Sequence, residues 1–327
     1  MFEICKPSVV LIRYSVDGEN IVAGAAKLTL SSKDMNTILS SIDDEQKEIW
    51  VKELIRRGHG SPLEHSFYSF EITCSRVASH QIVRHRIASY TQLSQRRGDK
   101  LLKSVVNVSA KYLEISIPSS ISKQELYHKY STILHEIIER IDEINDDVLY
   151  NIVCQGFIIP PRVVKKNDKE FIKELLLCLE KYYKALANGY HPEDARFLLP
   201  QAVKTRIYVT MNARELIENF LPLRTCSHAQ WEIRYIAWSM LRELLRVHPS
   251  MFSYAGPRCV LYENRVRDNP CSLLSFIKDN IEFVIERCPE LVPRDNIRQC
   301  VLSSLKDPWE DNYILFNEYL QNNGRKQ

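Results

Sequence analysis

The stretch RHRIASYTQLSQRR, residues 84–97, gathers four arginines and a histidine into fourteen residues, together with two serines, two glutamines and a tyrosine. Forked guanidinium donors suit phosphate oxygens, and hydroxyls and amides suit the remaining polar atoms of a nucleotide. A solvated basic helix end is the plain alternative, but it leaves Ser89, Gln92, Ser94 and Arg96 without a task. Neither G-x-x-x-x-G-K-S nor G-x-G-x-x-G occurs in the chain, so the two common glycine-rich phosphate cradles are absent and side chains must do the binding.

The elements that hold this stretch follow from period and punctuation. In residues 66–74, Tyr68, Phe70, Ile72 and Cys74 share one face while Ser69, Glu71 and Thr73 share the other, the period-2 pattern of a half-buried strand. Ser75 then caps a predicted helix over 75–86 that delivers the arginines. Residues 9–15 and 21–30 read as short strands around a turn, and 43–58 as a helix stopped by Gly58. Residues 103–116 read as a strand. A long amphipathic helix is expected over 122–145, with Leu126, Tyr130, Ile133, Ile137, Ile141 and Ile144 on one stripe.

Further helices are expected over 168–189, from Pro192 to a stop at Pro200, over 212–222 and over 227–249, with a strand at 205–211. The tail, 259–327, is helical and amphipathic in patches such as 273–288. The expected class is α+β, a twisted and largely antiparallel sheet flanked by helices. Residues 1–258 are expected to form one main domain, and 259–327 an additional helical C-terminal segment.

The 44 basic and 41 acidic side chains leave a net charge of +3, so no global field draws the chain toward nucleic acid or a membrane. Outside the motif, basic residues are not interleaved with stacking aromatics as a nucleic-acid site requires. Nine cysteines lie far apart, without a C-x-x-C pair or zinc-ligand spacing. They read as reduced cytosolic thiols, with no metal expected. The start lacks the pattern of a signal peptide and no apolar run approaches membrane-spanning length, which places the protein in the cytoplasm.

The string RHRIASYTQLSQR resembles the signature of the flavin-dependent thymidylate synthases, enzymes that methylate dUMP using methylenetetrahydrofolate, NADPH and FAD. The similarity continues in GHGSPLEHSFYSF (58–70), Gln81, EDARFLLP (193–200), VTMNAR (209–214) and LRTCSHAQWEIR (223–234). These blocks keep the family's order and cover roughly residues 9–257. The resemblance implies that Gln81, Arg84, Gln92, Ser94, Gln95, Arg96, Arg196 and Arg224 hold dUMP. It implies FAD contacts from His59, Ser61, Arg84, His85, Arg86, Gln92, Asn212, Arg214, Asn219 and His228, with Ser61 reaching flavin in a neighbouring subunit. Arg224 is the implied catalytic residue, polarising the uracil ring. The family is homotetrameric with sites at subunit interfaces, so the same assembly is expected here.

Three departures stand out. One residue more than the family usually has lies between Asn212 and Arg224, so Asn219 matches only if the extra residue falls between Arg214 and Asn219. Arg97 replaces a tyrosine usual after the motif, and no counterpart is recognised for the tail beyond about Tyr262. The family works without a cysteine nucleophile, and Cys226 alone of the nine cysteines lies in the nucleotide-binding blocks, in surroundings that give no strong reason for a catalytic thiolate. Hydrogen bonding, not nucleophilic attack, is the role expected of Ser94, because no Ser-His-Asp arrangement is legible around it. Two rival readings are a diverged relative that binds flavin and nucleotide without making dTMP, and an RNA- or phosphate-binding protein.

Overall fold

The computed structural model describes residues 2–96, 99–279, 281–310 and 312–315, so Arg97 and the end of the tail lie outside the described residues. Four strands, β1 (Ser8–Tyr14), β2 (Phe67–Ser75), β3 (Ala88–Gln92) and β4 (Lys204–Asn212), form one open antiparallel sheet in the order β1-β2-β4-β3, flanked by helices. The α+β expectation is met. On β2 the side chains of Tyr68, Phe70, Ile72 and Cys74 are fully buried, and each large one contributes about 1.5–3 kcal/mol of apolar burial. Ser75 Oγ accepts from the Ala78 amide (3.1 Å), as a helix cap does.

The chain clusters into two compact units. The first comprises 1–8, 73–80 and 91–207, and the second 9–72, 81–90 and 208–327. In the first, the helices Lys123–Glu139 and Lys169–Ala187 pack against each other around Tyr130, Ile133, Ile137, Leu176 and Tyr183. In the second, the helices Gly18–Leu28 and Asp44–Arg57 pack together. Gly58 ends the latter in a left-handed conformation (φ 68°), which glycine adopts without strain.

Two predicted strands are helices. Residues 21–28 of the first belong to the helix Gly18–Leu28, where Gly24 sits against Met35 and Leu39 so closely that a Cβ would meet their side chains at 2.9 Å. Residues 103–116 fall largely in the helix Lys100–Tyr112, whose buried Leu102, Val105, Val106, Ser109 and Ala110 follow the helical period. Their β-branched residues suggest a strand, but tertiary packing decides. The helix beginning after Ser122 ends at Glu139, while Ile141 and Ile144 remain buried on the turn that follows.

Only Leu273–Lys278 of the predicted 273–288 helix is helical. The buried Glu263 carboxylate takes the amides of Val284 (2.6 Å) and Ile285 (3.0 Å), which holds that stretch out of a helix. The expectation of nine reduced cysteines is also corrected. Cys5 and Cys154 form a disulfide, and both lie in the first unit. Beside it Lys204 Nζ donates to the carbonyls of Ile4 and Cys154. Burial pulls this lysine's pKa down to about 8. Among the described residues no helix is long and apolar enough to cross a membrane.

Candidate active site

The helix expected to run through the arginine triplet stops at Ile82. Tyr90 explains the stop. Its hydroxyl donates to the carbonyls of Ile82 (3.0 Å) and His85 (2.6 Å), satisfying acceptors that a helix end leaves open. The resulting turn buries His85 and leaves Arg84 and Arg86 exposed. Among the described residues neither arginine has a carboxylate partner.

His85 lies at the centre of a hydrogen-bonded chain. Its Nδ1 is 3.0 Å from Glu215 Oε1, and both residues are buried, at 6% and 3% exposure. Arg224 Nε donates to His85 Nε2 at 3.0 Å, and Arg224 Nη2 to the Gln81 carbonyl at 3.2 Å. Because a guanidinium nitrogen only donates, His85 Nε2 must accept. The proton therefore sits on Nδ1, shared with the Glu215 carboxylate. Asn219 Nδ2 donates to Glu215 Oε2 (3.0 Å), and the Glu215 amide donates to Asn212 Oδ1 (2.8 Å). Phe220 closes the imidazole edge, ring centres 4.9 Å apart. Burial lowers the Arg224 pKa, so this cation is held in a partly dry place where its field is strong.

The segment Glu215–Phe220 forms a π-helical turn, and Leu221–Arg224 continues as α-helix. An i→i+5 turn takes up one residue more than an α-turn. It corrects the plain helix expected over 212–222. Glu215 was not among the expected site residues. The sequence marks only a helix start here, Asn212 followed three positions later by Glu215, and Asn212 does accept from the Glu215 amide.

Also in the second unit, Arg214 pairs with Glu64 and with Glu218 (2.9 Å). Gly60 lies against it; a Cβ there would meet Arg214 Nε at 2.5 Å. His59 and Ser61 open onto a cleft of about 560 Å³ that is also lined by Trp50, Glu53 and Arg57. His228 is exposed and faces Glu290 at 3.7 Å, apart from the Arg224 chain.

In the first unit, Gln92 Nε2 donates to Thr205 Oγ1 (3.1 Å), and the Leu93 amide pairs with the Arg206 carbonyl (2.9 Å). Ser94, Gln95 and Arg96 follow on the turn after β3. Arg196 donates to the Glu193 carbonyl (3.1 Å), and its charge bears on Arg76, which approaches His80 at 3.0 Å. Among the described residues no three His, Cys, Asp or Glu side chains close on one point as a single metal ion requires.

The family described as "Thymidylate synthase complementing protein" matches residues 10–250. A flavin-dependent thymidylate synthase of Aeropyrum pernix is 42% identical over 316 residues, covering 94% of this chain and 96% of the relative. The chain belongs to the flavin-dependent thymidylate synthase family. Another family member, from Sulfurisphaera tokodaii, is 40% identical over 299 residues, covering 91% of this chain and 96% of its own. Thymidylate synthase X of Helicobacter pylori, solved with FAD and dUMP, shares the fold at a TM-score of 0.50 and 22% identity, over 75% of this chain and 97% of that one. The long archaeal alignments also correct an expectation: with 94% of the chain covered, most of the tail has a counterpart in flavin-dependent thymidylate synthases.

Proposed function

We propose that this chain converts dUMP to dTMP, with methylenetetrahydrofolate as carbon donor, FAD as bound cofactor and NADPH as reductant, as a homotetramer in the cytoplasm. The observation that carries the reading is the Glu215-His85-Arg224 chain, which fixes one guanidinium with two hydrogen bonds and a single imidazole tautomer.

The residues present fit the flavin. Arg84 and Arg86 are exposed forked donors, and the His59–Ser61 cleft falls in the usual size range for a cofactor site. His59, Ser61, Arg84, Arg86, Gln92, Asn212, Arg214, Asn219 and His228 would hold it. Both ring nitrogens of His85 are engaged within the protein, so its share comes through the position it gives Arg224. Bound flavin supplies hydride transfer, which the side chains themselves do not provide.

The chain's own work is binding and electrostatics. Gln81, Arg84, Gln92, Ser94, Gln95, Arg96 and Arg196 supply donors for the phosphate and polar edges of dUMP. Arg224 stabilises negative charge developing on the pyrimidine as its ring carbon takes up the one-carbon unit, and it is held in place before that charge appears. Residues 1–258 carry these groups, and 259–327 is a C-terminal extension to this catalytic part. Arg224→Lys keeps the charge and loses the fork. It is expected to lower dTMP formation by on the order of a hundredfold while flavin remains bound. Undiminished turnover in that variant would show that Arg224 does not stabilise the pyrimidine charge.

A further inference from the structure

Four cysteines that are remote in sequence converge in the second unit. Cys226, Cys259, Cys288 and Cys300 line one small cavity, together with Ser227, His228 and Arg258. Each is a free cysteine, Cys259 and Cys288 being buried. The catalytic function uses none of them.

The surroundings of the sulfurs are more telling than their number. A thiol is a weak acceptor and ordinarily attracts few donors, whereas a thiolate ligand of a metal is held by N–H and O–H groups around it. Here two of the four sulfurs, those of Cys288 and Cys300, have a hydrogen-bonding neighbour. The Val292 amide points at Cys288 Sγ (3.3 Å), in a tight loop that the Cys288 amide closes by donating to the Val292 carbonyl (2.9 Å). The Ser227 hydroxyl meets Cys300 Sγ at 2.9 Å. Arg234 lies near Cys226 and Cys300, while its Nη1 ties down the carbonyls of Ser227 and Ala229, both at 2.8 Å. It offers a positive charge beside the negative one that a four-thiolate centre carries.

We propose that Cys226, Cys259, Cys288 and Cys300 bind a thiophilic metal centre, either zinc or an iron–sulfur cluster. In the structure the sulfurs ring the cavity and do not meet at one point. An iron–sulfur cluster places iron and sulfide between its cysteines and keeps them apart, whereas zinc draws four sulfurs to about 2.3 Å from itself. The shared chemistry is four thiolates from one loop and one tail. Cys226 sits two residues after Arg224, and the other three cysteines lie in 259–327, so the centre would clamp the loop after Arg224 to the C-terminal segment. That gives the tail a task. The sequence hides the site because its ligands are separated by 33, 29 and 12 positions, far from the short spacings by which such sites are recognised.

The test is metal and acid-labile sulfide analysis of the full-length protein purified without oxygen, alongside Cys226→Ser and Cys288→Ser. The wild-type chain is expected to carry about one zinc, or iron and sulfide in equal amounts, and each variant about none. Sulfide with iron identifies the cluster, and zinc alone identifies the single ion. Should the variants fail to fold, wild-type protein from cobalt-supplemented medium serves instead, because thiolate-bound cobalt absorbs to the red of any flavin band. Protein without metal, without cobalt bands and with all four thiols open to a maleimide reagent would overturn the site. So would bound metal that persists in both serine variants.

Discussion

Arg224 and His85 meet at 3.0 Å, Nε to Nε2, and this contact decides where the imidazole proton resides. With Nε2 accepting, the proton lies on Nδ1 against Glu215, and the carboxylate, the ring and the guanidinium act as one unit. A flexible arginine thereby becomes a fixed one. That matters for the proposed role of Arg224, the stabilisation of charge at a defined place.

Glu215→Gln preserves shape and removes the charge that orients His85. A buried hydrogen bond to a charged group contributes about 1.5–3 kcal/mol, so dTMP formation should fall roughly tenfold to a hundredfold with flavin binding retained. Steady-state kinetics with a flavin count per chain decides it. An unchanged rate would mean that Arg224 does not depend on the chain behind it.

Much of this unit was legible in the sequence, and the parts that were not have physical causes. The buried face of β2, the stop at Gly58 and the Ser75 cap follow from period and from single-residue preferences. The helices at Gly18–Leu28 and Lys100–Tyr112 were hidden because apolar residues on a helical stripe also carried strand-forming side chains. The arginines stand out in the sequence because forked donors suit anions. Glu215 does not, since its role depends on a contact with His85 across 130 positions. The disulfide has the same character: Cys5 and Cys154 are 149 positions apart and only the fold unites them.

That disulfide joins residues 149 positions apart, and cross-links of this kind usually stabilise by limiting the unfolded chain. Cys5→Ser should lower the unfolding free energy by about 2–5 kcal/mol. Denaturant titration of the wild type and the variant measures the difference. Equal stabilities would show that the bond contributes nothing to the folded state.

Lys204 links stability to pH. Its folded pKa of about 8 lies below the ordinary lysine value near 10.4, because burial penalises the ammonium. Between these values the unfolded chain holds a proton that the folded chain has released, so the contribution of Lys204 to stability rises as pH increases from about 8 to about 10. Below that window both states are protonated and the contribution is flat. Melting curves across this range should show the rise in the wild type and its absence in Lys204→Met. Parallel curves for the two proteins would refute the depressed value.

The most direct test of the function is to purify the full chain, record its visible spectrum before and after adding dUMP, reduce it anaerobically with NADPH and supply methylenetetrahydrofolate. The account predicts a yellow protein whose flavin bands shift with dUMP and which then forms dTMP. A flavin-bound protein that responds to dUMP but yields no dTMP, or a colourless one that FAD does not reconstitute, would contradict it.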